Sequence, residues 1–121
     1  MIDHIEIRTS RMAESLAFYA QALAPLGYTQ KVDGDAKGFG NDDALDLFLV
    51  EGTPSDVHFA FAAPDRAMVD RIYDAGRAAG LTLDRAPALA PHIHPNYYAG
   101  YLRDPDGRLV EFVCHAAEPA N

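Results

Sequence analysis

Four side chains able to bind a metal ion recur at matching places in the two halves of the sequence. His4 stands in an alternating stretch with Glu6 and Arg8 on its side and Ile5 and Ile7 on the other. His58 stands in a second such stretch, opposite Val57, Phe59 and Phe61. Alternation of this kind marks a half-buried strand, so each imidazole leaves the strand on the face away from the core. Glu111 lies between Val110 and Phe112, and Asp46 lies between Leu45 and Leu47 in the matching place of the first half. If the apolar neighbours face inward, both carboxylates point the other way. Two imidazoles and one or two carboxylates converging from equivalent strands suit Zn²⁺, Ni²⁺, Fe²⁺ or Mn²⁺. An open position on such an ion polarises a substrate oxygen or activates water. Any one of these histidines is also compatible with a purely structural role. The symmetry of the set is what singles out His4, His58 and Glu111, with Asp46 as a fourth ligand or as a group supporting one.

A second group of candidates shapes a pocket rather than a metal site. Pro91 and Pro95 bracket His92-Ile93-His94 and favour an extended segment with both imidazoles on one side. Such a pair can hold an oxygen-rich or anionic substrate or relay protons near neutral pH, or it can be an idle exposed loop. Tyr97, Ala99, Tyr101 and Arg103 share one strand face, so Tyr97 and Tyr101 offer phenols to a substrate or pack with the hydroxyl at a rim. Phe48 and Val50 share the face of Asp46 and would make one wall apolar. The single cysteine, Cys114, falls on the inward side and reads as a small core residue.

The elements that must position these groups repeat. In each half a strand leads to a polar cap, a helix and further strands. The first helix has Met12, Leu16, Tyr19 and Leu23 at helical spacing, with Thr9 or Ser10 as its cap and Pro25 and Gly27 ending it. The second has Val69, Ile72, Gly76 and Ala79, begins at Pro64-Asp65 and ends at Gly80. Strands are expected near Lys37–Gly40, Leu45–Val50, Tyr97–Arg103 and Leu109–His115, with long loops at Gln30–Lys37 and Arg85–Asn96. Asp104-Pro105-Asp106-Gly107 is a tight-turn signal. The chain therefore reads as an α+β fold, one domain over residues 1–121 built from two βαβββ modules. Repeat one covers about residues 1–52 and repeat two about 55–115, with the helices on one sheet face and a more polar face opposite. The tail Ala116–Asn121 is expected to fray.

Composition narrows the partners. A chain of 121 residues suits one core. A formal net charge of −8 argues against nucleic acid and anionic membranes. No apolar run reaches the ~18 residues of a membrane span. Met1-Ile2-Asp3-His4 lacks the layout of a signal peptide, and one cysteine allows no internal disulfide, so a cytoplasmic protein is the expectation.

Taken together, these motifs resemble the vicinal oxygen chelate superfamily, which includes glyoxalase I, fosfomycin-resistance proteins, extradiol dioxygenases and bleomycin-binding proteins. The resemblance rests on Ile2-Asp3-His4-Ile5, Ser15-Leu16-Ala17-Phe18-Tyr19, Val57-His58-Phe59-Ala60-Phe61 and Asp104-Pro105-Asp106-Gly107-Arg108-Leu109-Val110-Glu111. It extends to small glyoxalase-like bacterial proteins through His92-Ile93-His94-Pro95-Asn96-Tyr97-Tyr98. It implies sheets curled around a metal-lined funnel, with His4, His58 and Glu111 at the usual ligand positions and Tyr97 and Tyr101 facing inward. Asp46 falls near the fourth ligand position, where glyoxalase I has Glu. The resemblance implies a divalent metal cofactor, a homodimer, and a lyase- or isomerase-type enzyme acting on a small substrate with neighbouring oxygens, with Glu111 catalytic. The same fold also serves metal-free binding and resistance proteins and non-haem iron ring-cleaving dioxygenases.

Overall fold

The computed structural model describes residues 1–118. Residues 119–121 of the expected frayed tail lie outside the described residues.

The first half runs β1 (Ile5–Thr9), α1 (Met12–Leu23), a 3-10 turn over Ala24–Leu26, β2 (Thr29–Asp33), β3 (Lys37–Gly40) and β4 (Leu45–Glu51). The second runs β5 (Phe59–Ala62), α2 (Arg66–Ala78), β6 (Thr82–Leu83), β7 (Ala88–Leu89), β8 (Tyr98–Arg103) and β9 (Leu109–Cys114). Each half makes its own mixed sheet, ordered β1-β4-β3-β2 and β5-β9-β8-β6, with β7 also on β8. In both, the strand before the helix pairs in parallel with the last strand of its unit, β1 with β4 and β5 with β9. The remaining pairings are antiparallel. The two βαβββ modules of an α+β fold are thus present, and β1 and β5 each end a sheet.

Local chemistry accounts for the elements. Asp65 caps α2, its carboxylate accepting from the Met68 N–H at 2.8 Å. At α1 the expected cap is displaced. Thr9 Oγ1 instead bonds the Ser15 hydroxyl and accepts from the Arg11 N–H, and Arg11 occupies the cap position without a side-chain bond. The buried face of α1 is Ser15, Phe18, Tyr19, Ala22 and Leu23, which leaves Met12 and Leu16 half-buried at its margin. The chain leaves the following 3-10 turn through Gly27 at φ 81°, a left-handed conformation that glycine adopts without strain. The segment from Gln30, expected as a loop, is largely strand β2. Its side chains are almost all exposed, so it carries no apolar signal, and backbone pairing with β3 holds it.

The core lies between the helices and the inner sheet faces, with Tyr19, Phe39, Leu47, Leu49, Leu102 and Val110 fully enclosed. Aromatic contacts join the halves: Tyr19 stacks on Phe59, and Tyr28 meets Phe61 edge-on at 5.8 Å. A buried ionic knot adds to them. Arg108 donates to Asp104 at 2.8 Å and Asp106 at 2.9 Å in its own turn, and to the carbonyls of Arg8 and Ser55 in the first half, both at 2.9 Å. Tyr19 of α1 donates to the same Asp104 oxygen as Arg108 Nε, at 2.6 Å.

Candidate functional site

Glu111 sits in the middle of β9 and is 4% exposed, on the sheet face away from the helices. A buried carboxylate needs hydrogen-bond donors, and two side chains supply them. His58 approaches Oε1 through Nε2 at 2.9 Å, and the Tyr97 hydroxyl donates to Oε2. The other nitrogen of His58, Nδ1, lies 2.9 Å from the Leu109 carbonyl, which can only accept, so Nδ1 carries a proton and the ring is fixed. Nε2 is thereby turned to Oε1 of Glu111. Tyr101 stands directly opposite Glu111 in the β8–β9 register. Burial, then the Glu111 hydrogen bond and charge, push the Tyr97 phenol above its ordinary value. Burial followed by the Glu111 charge does the same for Tyr101.

The expected sharing of one face by Tyr97, Ala99, Tyr101 and Arg103 is what the pairing gives, since Ala99 meets Val113, Tyr101 meets Glu111 and Arg103 meets Leu109. The His92–His94 segment differs from its expected extended form. It is a turn in which the Ile93 and His94 N–H groups both donate to the Ala90 carbonyl. His92 and His94 are both exposed; His94 packs edge-on against His115 at 5.5 Å, and His115 in turn meets Tyr97 at 5.1 Å. His94 thus reaches the edge of the Glu111 cluster through His115, whose place near a strand end read as plain surface.

The first sheet carries the remaining candidates. His4 is half exposed, donates from Nδ1 to Asp3 at 2.7 Å, and meets the Phe48 ring edge-on at 5.5 Å. Phe48 rests against Gly38, where an added Cβ would come within 2.8 Å of its ring. Asp46 accepts from the Tyr28 hydroxyl at 2.7 Å through Oδ2, while its Oδ1 is buried without a partner among the described residues.

Strand register places these groups more finely than alternation does. Glu6 pairs with Phe48 in the first half, and its counterpart Ala60 pairs with Glu111 in the second. The first-half counterpart of Glu111 is therefore Phe48. Asp46 shares the face but lies two residues, about 6.6 Å, along the strand. The matching place expected for Asp46 is occupied by a phenyl ring.

His4 and Asp46 line a cavity of about 440 Å³ at the seam between β1 and β5, with Tyr28, Phe59 and Phe61 in its wall. Ala60, which pairs with Glu111, also lines it, whereas Glu111, His58, Tyr97 and Tyr101 are not among its lining residues. As donors to one ion, His58 and Glu111 fit. Adjacent ligands held at about 2.1 Å stand about 3 Å apart, close to the separation of this pair. Among the described residues no three His, Cys, Asp or Glu side chains converge, so a single chain offers a fitting pair and not a full set. No helix among the described residues is long and apolar enough to cross a membrane.

Comparison with known proteins agrees with this fold. No curated protein sequence matches the chain. Among solved structures it is similar to a glyoxalase/bleomycin resistance protein from Albidiferax ferrireducens T118, with 24% identity, a TM-score of 0.79 and coverage of 94% of this chain and 98% of that one. It is similar to a lactoylglutathione lyase from Agrobacterium tumefaciens at 22% identity, with a TM-score of 0.73 and coverage of 94% and 92%. A glyoxalase/bleomycin resistance protein/dioxygenase from Nocardioides shares 21% identity over all of this chain and 88% of its own, with a TM-score of 0.69. At these identities the likeness shows the fold. The sequence itself matches the family over residues 1–112, and the chain belongs to the glyoxalase/bleomycin resistance protein/dioxygenase superfamily.

Proposed function

We propose that this chain is a metal-dependent enzyme acting on a small substrate with two neighbouring oxygens, in a lyase- or isomerase-type proton transfer. The observation that carries the reading is the Glu111 cluster: a buried carboxylate held between an oriented imidazole and a phenol. His58 and Glu111 would hold the ion, and His4 would complete a set of two imidazoles and one carboxylate. Phe48 takes the place of a fourth ligand, and Asp46 braces the cavity wall through Tyr28. When bound, the metal supplies Lewis-acid stabilisation of negative charge on the substrate oxygens.

The residues of the chain do the rest. Glu111 is placed to take a proton from the substrate carbon and return it. Tyr97, its phenol kept protonated by burial and by Glu111, donates a hydrogen bond to that carboxylate and keeps it aimed. Tyr101, opposite Glu111, offers a second phenol to a substrate oxygen.

His4 belongs to the first sheet, so completing the set calls for a second subunit. We propose a homodimer in which the first sheet of one copy covers the second sheet of the other. Two open-edged strands, β1 and β5, and the exposed apolar residues Met1, Ile2, Leu45 and Val57 support it.

A second reading, a metal-free binding protein, is favoured by the direct His58–Glu111 contact, which satisfies both groups with no ion. Elemental analysis of protein purified without chelators or an affinity tag separates the two. The enzyme reading expects near-stoichiometric Zn, Ni, Fe or Mn, lost in Glu111→Ala. Absence of metal even after reconstitution would leave the binding reading alone.

A further inference from the structure

We infer that Arg85 is an anion anchor for this site, so that the substrate carries a negatively charged group about one aromatic ring away from its paired oxygens. The inference rests on the reading of the Glu111 cluster as the reacting end.

Arg85 stands two residues beyond the end of the short strand β6. Its guanidinium lies over the Tyr101 ring, 4.0 Å from the centroid, closer than the stacks of Arg66 on Tyr98 at 5.5 Å or Arg77 on Tyr73 at 5.4 Å. Tyr101 is the residue opposite Glu111, so the guanidinium sits a ring's width from the proposed proton-transfer group. Its backbone is tied on both sides. The Arg85 N–H donates to Asp84 Oδ1 at 2.8 Å, and the Arg85 carbonyl accepts from the Tyr101 N–H at 3.0 Å. A stacked, backbone-anchored guanidinium is pre-organised, and stacking uses its face while leaving its N–H edge free.

The neighbouring charges decide whether that edge is available. Asp84 is the nearby carboxylate, and Arg103 already holds its Oδ2 at 2.9 Å, keeping the Asp84 carboxyl below its ordinary range. Arg103 is also committed to the Gly107 carbonyl at 3.0 Å. The side-chain contact of Arg85 with Asp84 is through Nε at 3.5 Å, and its side chain is 66% exposed. The two terminal nitrogens remain to take a carboxylate or phosphoryl group in a fork. In a chain of net charge −8, a fixed cation beside a buried carboxylate orients a substrate by charge: anionic end toward Arg85, reacting end toward Glu111.

Three probes test this by equilibrium dialysis against the full-length protein: catechol, 3,4-dihydroxybenzoate, which adds a carboxylate one ring away from the same oxygens, and benzoate, which has only the carboxylate. The expected result is that 3,4-dihydroxybenzoate binds roughly tenfold tighter than catechol, with a preference that weakens as salt rises. Arg85→Gln should erase the preference and leave catechol unchanged, and Arg85→Lys should keep only part of it. A wild-type protein without the preference, or an Arg85→Gln protein that retains it, overturns the anchor. If benzoate binds in an Arg85-dependent way while the dihydroxy group adds nothing, the anchor stands and the paired-oxygen reading falls. If no probe binds, both fall.

Discussion

Tyr97 is the residue whose removal separates positioning from ligation. It touches Glu111 and no other candidate ligand, so Tyr97→Phe should leave metal content unchanged while taking a donor from a buried carboxylate oxygen. Losing such a donor costs about 1–3 kcal/mol, read as a lower unfolding midpoint in urea. The sign of its pH dependence follows from the raised phenol. Folding favours the protonated form, so the contribution is complete below about pH 10 and is lost as pH rises through the higher folded-state value. Tyr19, Tyr28 and Tyr101 are raised by burial in the same direction, and Tyr98 is pushed up to about 12. Phenolate absorbance should therefore appear late and together with alkaline unfolding. Normal titration of all these tyrosines in folded protein would contradict the hydrogen bonds drawn for them. Alternation assigned Glu111 and Tyr97 each to one face of its own strand, and the family resemblance turned the face of Tyr97 inward. Their contact follows from the pairing of β8 with β9. Alternation could not place Asp46, since position along a face depends on register, and register is set by β3 and β4 closing at Gly40 and Leu45.

At the scale of elements, the turn Asp104–Gly107 does more than reverse the chain. Its aspartates hold Arg108, and Arg108 reaches two carbonyls of the first half, so one guanidinium clamps the hairpin to β1 and to the segment leading into β5. Arg108→Ala leaves the Asp104 carboxylate, 3% exposed, with its charge uncompensated. Breaking one side of such a buried pair costs about 3–5 kcal/mol, a large part of the stability of a small domain. Thermal unfolding should fall accordingly, and an Asp104→Asn, Asp106→Asn, Arg108→Met protein should recover part of the loss because no buried charge is left alone. A single-variant drop no larger than that of an exposed arginine would mean that water enters the knot. The sequence announced the turn through Pro105 and Gly107 but not the clamp, because the partners are backbone carbonyls 100 and 53 positions away and leave no trace in side-chain type. Strand β2 went unread for a related reason: its backbone forms the sheet while its side chains face solvent. Strands β6 and β7, two residues each, are too short to show any period.

The whole molecule raises the question that neither residues nor elements answer: how His4 meets His58 and Glu111. Within one chain the first sheet keeps His4 and Asp46, the second keeps His58 and Glu111, and among the described residues no three such side chains come together. Two copies related by a twofold axis would bring each first sheet against the partner's second sheet, forming two equivalent sites. Light scattering should then report a dimer at micromolar concentration, and a monomer there sinks the arrangement. A stronger test uses the sharing itself. His4→Ala and Glu111→Ala proteins should each bind little metal as homodimers. Mixed, dissociated and allowed to re-pair at random, half of the dimers contain one chain of each kind. In those dimers one site has lost both His4 and Glu111, while the other has His4 from one subunit and an intact His58–Glu111 pair from its partner. Metal content should rise to roughly a quarter of the wild-type level. If all three donors instead came from one chain, no pairing would restore a site and the mixture would stay empty. The outcome reads directly whether the open edges of β1 and β5 mark a molecule that is complete alone or one whose chemistry is assembled between two copies.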